Sequence, residues 1–420
     1  MGPLDAGRDA VPAGTPRVGA DTPPGLGLAV LPPPYRRGMR LLHTSDWHLG
    51  RSFHREDLLS AQAGFVDFLV ETVRSEQVDA VLVSGDVYDR ALPSVDAVAL
   101  FDDALRRLAA TRTRVVLISG NHDSGRRLGF GSGLIDAAGI HLRTDVADAH
   151  RPIVLEDKDG PVAVYAIPYL EPDAVRAELG CDERSHAAVL GAAMARVRGD
   201  LSGRAGARSV VLAHAFVTGG ETSESERDIT VGGVASVPRS VFDGIDYAAL
   251  GHLHGAQRLS DRVRYSGSPL PFSFSEEHQT KQLLLVELGD RPGAPLSVEQ
   301  VPTPVHRPLA RLSGRLDDLL TDPRWGGFAG HYLQVTLTDP VRPRDPMERL
   351  RSRFPHVLTL GFAPDGVAET STSYSARVRG RTDVEMAADF VAHVRGPAEP
   401  AEAALLAAGF EAVRLAETSR

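Results

Sequence analysis

Five short segments carry carboxylates, an amide or imidazoles at spacings that suit metal binding. They are Asp46-Trp47-His48, Gly85-Asp86-Val87-Tyr88-Asp89, Gly120-Asn121-His122-Asp123, His214 and Gly251-His252-Leu253-His254. Each donor is an oxygen or an imidazole nitrogen. The chain has a single cysteine, Cys181, which reads as a packed thiol, so neither a thiolate site nor an internal disulfide is available. Mixed O and N sites suit Mn2+, with Mg2+, Zn2+ or Fe as rivals. An isolated Asp-x-His triplet is usually a turn. Five such groups in succession, each after an apolar run, are not explained by turns. Several carboxylates buried together would be strongly unfavourable without a cation. The number of donors suggests two divalent ions, which at ~3.5–4 Å separation clamp both the attacking and the leaving oxygen of a phosphoester. Asp86, directly after Gly85 at the end of an apolar run, is the natural shared carboxylate.

The elements that must hold these groups alternate between strand and helix. Arg40–Thr44, Ala80–Val83 and Val115–Ile118 read as strands, each ending at one of the polar segments. Leu58–Gln77 reads as a helix with Phe65, Phe68, Leu69 and Val73 on one face. Ser94–Ala110 is a second helix, capped by Ser94, with Val95, Val98, Phe101, Leu105 and Leu108 at helical spacing. Later strands are expected at Val162–Ile167, Ser209–Ala213, Tyr247–Leu250, Val263–Ser266 and Gln282–Glu287. In a layered α/β sheet the loops at the carboxyl ends of strands converge on one crevice.

Residues 1–38, with 8 prolines and 7 glycines, are expected to be a disordered leader, not a secretory signal. Residues 39–290 form the layered α/β domain, and the Pro-rich stretch Arg291–Pro308 marks a boundary. Within 291–375, Leu309–Leu312 and His331–Leu337 read as strands and Met347–Arg353 as a helix, a small α/β unit. Residues 376–420 are expected to be a tail of two helices, Asp383–Val394 and Ala401–Leu415, separated by Gly396-Pro397.

The 420 residues carry a formal net charge of -9, which taken alone argues against a free-standing nucleic-acid binder. Of the 46 cations only Lys158 and Lys281 are lysines. The rest are arginine forks suited to phosphate oxygens. No run is long and apolar enough for a membrane span. The single cysteine points to a reducing compartment, and a cytoplasmic, nucleoid-associated setting is expected.

In their order along the chain, the five segments resemble the calcineurin-like metallophosphoesterases. Ser45-Asp46-Trp47-His48-Leu49-Gly50, Glu224–Gly233, Tyr265-Ser266-Gly267-Ser268-Pro269 and Phe390–Gly396 resemble one branch, the nuclease subunits of bacterial SbcCD complexes. The resemblance implies a four-layer α-β-β-α sandwich with a small α/β capping domain and a C-terminal helical tail. It implies that Asp46, His48, Asp86 and His254 hold one metal, and Asp86, Asn121, His214 and His252 the other. His122 would face the substrate as proton donor or transition-state stabiliser, with Asp89 orienting it and Asp123 structural. The activity implied is an ATP-dependent double-strand exonuclease and single-strand or hairpin endonuclease in DNA repair, recombination and replication. The partners implied are DNA, an SbcC-type coiled-coil ATPase and a second copy in a two-plus-two complex. Phe390, Val391, Leu405, Leu406, Phe410 and Val413 fit docking of the tail on that ATPase.

Alternatives remain open: a metallophosphatase or phosphodiesterase on smaller substrates, or a non-catalytic scaffold. Arg51, His54, Arg55, Arg90, Arg126 and Arg127 flank the metal segments and are candidates for backbone phosphate. His43 reads as a packed core histidine and Trp47 as support for the metal loop. The acidic run Glu221–Asp228 reads as a solvated loop, with the resemblance making it a candidate substrate-side loop.

Overall fold

A computed structural model describes residues 38–230, 236–365 and 381–418. Residues 1–37 of the leader, 231–233 of the Glu224–Gly233 segment, 366–375 of the small unit and 376–380 of the tail lie outside the described residues. The strands are β1 (Arg40–Thr44), β2 (Ser52–Phe53), β3 (Glu56–Asp57), β4 (Ala80–Ser84), β5 (Arg114–Ile118), β6 (Ile140–Arg143), β7 (Ile153–Asp157), β8 (Gly160–Ile167) and β9 (Arg208–His214). They continue with β10 (Tyr247–Gly251), β11 (Gln257–Arg258), β12 (Val263–Tyr265), β13 (Gln282–Glu287), β14 (Ser297–Pro302), β15 (Leu309–Gly314), β16 (Tyr332–Leu337) and β17 (Val357–Phe362).

Two six-stranded sheets lie face to face. One has the order β14-β13-β1-β4-β5-β6 and the other β11-β12-β10-β9-β8-β7. Strands β1, β4 and β5 of one sheet and β8, β9 and β10 of the other run parallel and are rich in buried Val, Leu, Ile and Ala, because a parallel sheet covered on both faces buries every side chain. Leu41, Leu82, Val116 and Ile118 of one sheet share a core with Val164, Val210, Leu212 and Ala249 of the other. Each fully buried aliphatic of this kind contributes roughly 1.5–3 kcal/mol. Helices α1 (Leu59–Ser75) and α2 (Val95–Ala110) cover the outer face of the first sheet, and α5 (Pro172–Leu179) and α6 (His186–Ser202) that of the second. Between these pairs lie the one-turn helices α3 (Gly125–Leu128) and α4 (Ser132–Ile135). The α-β-β-α layering expected from the resemblance is the architecture found.

Two expectations change. Ser94 caps α2 by accepting from the Ala97 N–H at 3.2 Å, but the buried face is Ala97, Phe101, Ala104 and Leu108. Val95 and Val98 face outward, 84% and 44% exposed. Alanines let the helix approach closely, and that decides the face over the larger valines. The proline-rich stretch taken as a boundary contains β14, which pairs antiparallel with all of β13, so the first sheet extends past residue 290. Strands β6 and β7, also unforeseen, each form one outer edge of the two sheets.

The small unit is a parallel three-stranded sheet, β15-β16-β17. Helices α7 (Leu316–Thr321) and α8 (Pro346–Arg353) pack on it around Leu319, Leu333, Val335, Leu350 and Phe354. Leu309 and Tyr332 join it to Phe53, Leu270, Phe272 and Phe274 of the main domain. Helices α9 (Asp383–Arg395) and α10 (Pro400–Thr418) follow, α9 opening with a capping box between Thr382 and Glu385.

Candidate metal centre

Both sheets end at one crevice. Asp46 lies two residues past β1, Asp86 two past β4, and Asn121 and His122 three and four past β5; His214 ends β9 and His252 follows β10. The backbone there is held in a sparsely populated region. Asp46, His48, Asp86 and His252 have φ of 54°, 45°, 48° and 106°, a conformation that costs a non-glycine residue of order 1–3 kcal/mol. Strain of this kind persists where packing over-determines it, and here it aims side chains inward. Two glycines permit the approach. A Cβ on Gly120 would stand 2.1 Å from Asp86 Oδ1, and one on Gly251 1.9 Å from Ser84 O.

Asp86 Oδ2 sits 3.5 Å from His214 Nε2, 3.7 Å from His48 Nε2 and 3.9 Å from His122 Nε2. His48 Nε2 faces His254 Nε2 at 3.1 Å. Asn121 Oδ1 lies 2.8 Å from His214 Nε2 and 3.1 Å from His252 Nδ1. Asp46 groups with His48 and His254, and again with Asp86 and His214. All seven residues expected as ligands therefore converge, with Asp86 central.

Apart from Asn121, these groups are buried. Burial pushes the Asp46 carboxyl well above the ordinary carboxylate range, and the neighbouring Asp86 adds to this. Burial raises Asp86 too, against the opposing effect of His122. Burial pushes the imidazole of His214 down to about 4 and those of His48 and His252 well below the usual value. Neutral imidazoles beside buried carboxylates are the donor set a divalent cation takes. The His214 tautomer is fixed, since Nδ1–H donates to Ser84 O at 2.9 Å and leaves Nε2 with its lone pair facing the cluster. His48 Nδ1 and Asn121 Nδ2 have no hydrogen-bond partner among the described residues. Two imidazole nitrogens face to face at 3.1 Å, with an amide oxygen and two carboxylates beside them, fit two divalent ions.

His122 lies at the rim of this group. Its Nδ1–H donates to Asp89 O at 2.8 Å, so the orienting group is the Asp89 carbonyl, not its carboxylate. The turn after β4 delivers that carbonyl, while the carboxylate points to His48 Nδ1 at 3.7 Å and Arg51 at 3.6 Å. Asp123 is structural: it accepts from the N–H groups of Val87, Tyr88 and Gly120 at 2.9–3.1 Å. Trp47 is buried against Phe65 and Phe101 beneath the first metal loop. His43 is a core residue, bonded to Tyr247 Oη and Leu250 O.

The candidate phosphate contacts divide. Arg51 is held over the Phe272 ring at 4.8 Å and donates from Nη2 to Ser225 O, while its Nη1 is buried without a hydrogen-bond partner among the described residues. His54, Arg55, Arg90, Arg126 and Arg127 are exposed, and Arg127 donates to Ala91 O.

The acidic run is not simply a solvated loop. Glu226 Oε1 accepts from His254 N at 2.8 Å, and Ser225 Oγ lies 2.5 Å from His254 Nδ1. Glu276 and Lys281, a buried pair beside His254, were not foreseen; neither was Gln62, whose Nε2 donates to His48 O at 2.7 Å. One signal was available for Lys281: it is one of two lysines in an arginine-rich chain.

The sandwich carries a cluster of buried aspartates and histidines that could hold divalent ions, as a metal-dependent phosphoester hydrolase requires. Residues 39–168 match the family described as calcineurin-like phosphoesterase. Residues 305–395 match SbcD_C, described as the type 5 capsule protein repressor C-terminal domain. The chain thus combines a calcineurin-like metallophosphoesterase domain with an SbcD-type C-terminal region. The first match stops before His214, so the place of His214, His252 and His254 rests on the geometry above.

Among solved structures, a protein of Thermus thermophilus is 13% identical with a TM-score of 0.36, covering 63% of this chain and 99% of its own. A dimetal phosphatase from Danio rerio is 14% identical at 0.39, with 63% and 99% covered. GAP50, the anchor in the inner membrane complex of Plasmodium, is 10% identical at 0.37, with 79% and 98% covered. Scores this low leave the functional reading to the residues themselves. No helix among the described residues is long and apolar enough to cross a membrane.

Proposed function

We propose that this chain is a two-metal phosphodiesterase acting on DNA, the nuclease subunit of an SbcCD-type complex. The observation that carries the reading is the convergence on Asp86 Oδ2 of three imidazole Nε2 atoms within 3.5–3.9 Å. The SbcD_C match over 305–395 favours DNA and a coiled-coil ATPase partner over a small ester.

In this reading Asp46, His48, Asp86 and His254 hold one ion, and Asp86, Asn121, His214 and His252 the other. When bound, the ions would offset the negative charge building on the phosphoryl oxygens and make water a stronger nucleophile. His122 holds a proton at Nε2, its ring fixed by the Asp89 carbonyl, and gives it to the leaving oxygen. Burial lowers its affinity for that proton while Asp86 opposes the fall, so the ring can part with it to a developing alkoxide. The exposed Arg90, Arg126 and Arg127 contact backbone phosphate, and the unit starting at β15 caps the crevice. The most suitable ion is Mn2+.

The test compares Mn2+-dependent digestion of linear duplex DNA with hydrolysis of a chromogenic phosphodiester. Digestion of DNA, enhanced by the ATPase and ATP, is expected. Hydrolysis of the small ester alone would overturn the assignment to DNA.

A further inference from the structure

His254 differs from His214 in what holds its far nitrogen. A backbone carbonyl orients His214. At His254 the work falls to side chains from two other segments. Ser225 Oγ lies 2.5 Å from His254 Nδ1, and the same hydroxyl hydrogen-bonds Glu276 Oε1. That Glu276 oxygen is itself 3.5 Å from His254 Nδ1. The other, Oε2, is 2.5 Å from Lys281 Nζ, with the two side chains 0% and 2% exposed. Lys281 also donates to His254 O at 2.9 Å and to Ser268 Oγ at 3.0 Å.

The direction of these bonds is determined. An ionised carboxylate can only accept, so the Ser225 hydroxyl donates to Glu276. Its lone pair then accepts the His254 Nδ1–H. The proton stays at Nδ1, and Nε2 turns a lone pair to the cluster, where it faces His48 Nε2 at 3.1 Å. Burial would raise the Glu276 carboxyl, but the His254 hydrogen bond and Lys281 together hold it below its ordinary value.

We propose that Glu276, acting through Ser225, is a positioning residue that fixes the tautomer and ring plane of His254, with Lys281 balancing its charge. This rests on the reading that His254 holds one of two ions. It predicts an asymmetry: disturbing the relay weakens the ion held by Asp46, His48, Asp86 and His254 and spares binding at Asn121, His214 and His252. The loop carrying Ser225 is tied to the same side, since Arg51 donates to Ser225 O at 3.1 Å and Glu224 N to Ser275 Oγ at 3.0 Å.

Removing Glu276 alone would strand the buried Lys281 ammonium and endanger the fold. The variants are therefore Ser225→Ala, Ser225→Thr and the double change Glu276→Gln with Lys281→Met. Each full-length protein, stripped with chelator, is titrated with Mn2+ by calorimetry, and its metal-free thermal unfolding is recorded. Wild type should bind two ions. Ser225→Ala and the double variant should weaken one ion by roughly 10–100-fold and leave the other near wild type. Ser225→Thr, which keeps the hydroxyl, should restore binding. In Ser225→Ala the metal-free unfolding midpoint should stay at the wild-type value. Two ions weakened equally, or neither, would overturn the proposal and leave the two-ion reading intact. A wild type that binds fewer than two ions would overturn both.

Discussion

The backbone N–H of His252 donates to both carboxylate oxygens of Asp46, at 3.0 and 3.2 Å, across 206 positions of sequence. Asp46 follows the first strand of one sheet, and His252 follows a strand of the other. The bond ties the open ends of the two sheets together where charge is concentrated. It also orients Asp46, which receives Ser45 Oγ at 2.6 Å. The donors are set by backbone before any ion arrives, and pre-organisation of this kind is what an electrostatic catalytic site needs.

His122 touches the centre from its rim and is not among its proposed ligands. His122→Ala should keep both Mn2+ ions and lower turnover by roughly 10²–10⁴-fold, the usual worth of a positioned proton donor. Metal titration beside single-turnover cleavage of duplex DNA measures both. Equal loss of binding and turnover would show that His122 is a ligand.

Asp86 is central to the cluster, so Asp86→Asn should bring metal content below two per chain and cut turnover by at least ~10³-fold. In wild type, Mn2+ should raise the midpoint of thermal unfolding after chelator treatment. At 100 times Kd a single ion stabilises by about 2.7 kcal/mol, and Asp86→Asn should lose most of this. A variant retaining the full shift would refute the shared-carboxylate role.

Acid should destabilise the protein partly through His43. Burial pushes its imidazole from 6.5 down to about 3, against the hydrogen bond to Leu250 O. Between these values the unfolded chain binds a proton that the folded chain does not. The contribution is full above pH 6.5 and is lost as pH falls toward 3, by about 1.4 kcal/mol per pH unit. Urea unfolding at about pH 7 and about pH 5, on either side of the ordinary imidazole range, should show a shallower loss for His43→Gln than for wild type. Identical slopes would remove His43 from the account.

The tail helices keep apolar side chains outside: Phe390 is 54% and Leu405 74% exposed. Deleting residues 381–420 should abolish association with the ATPase while Mn2+-dependent hydrolysis of a small phosphodiester continues. Pull-down and turnover on the truncated chain read the two separately, and persistent association would refute docking by the tail.

A net charge of -9 does not stand against this reading. Two of the acidic residues, Asp46 and Asp86, point into the centre, where two divalent ions would add four positive charges. The subunit alone is then expected to bind DNA weakly, with affinity supplied by metal and partner.

Much of the centre was legible in the sequence because its groups follow strands, and apolar runs of β-branched residues announce strands. Asp46, Asp86, Asn121 and His214 could be read from where each run ends. The four layers followed from the resemblance, since alternation alone does not say which strands share a sheet. The outward turn of Val95 was not legible, because it depends on how near α2 approaches its neighbours. Nor was β14, whose proline-rich surroundings hid an edge strand paired on one side only. The part of Asp89 that orients His122 is a carbonyl, which every residue has. Glu276 and Lys281 pair within five residues, but nothing local says that the pair is buried or lies beside His254. The sequence by itself determined which atoms could bind metal and in what order they come. Only the tertiary structure decided which sheet ends face each other and which side chains orient the donors. Ligand chemistry is a property of residue type, whereas orientation and burial arise from contacts between segments far apart in the chain, such as Asp46 and His252, 206 positions apart.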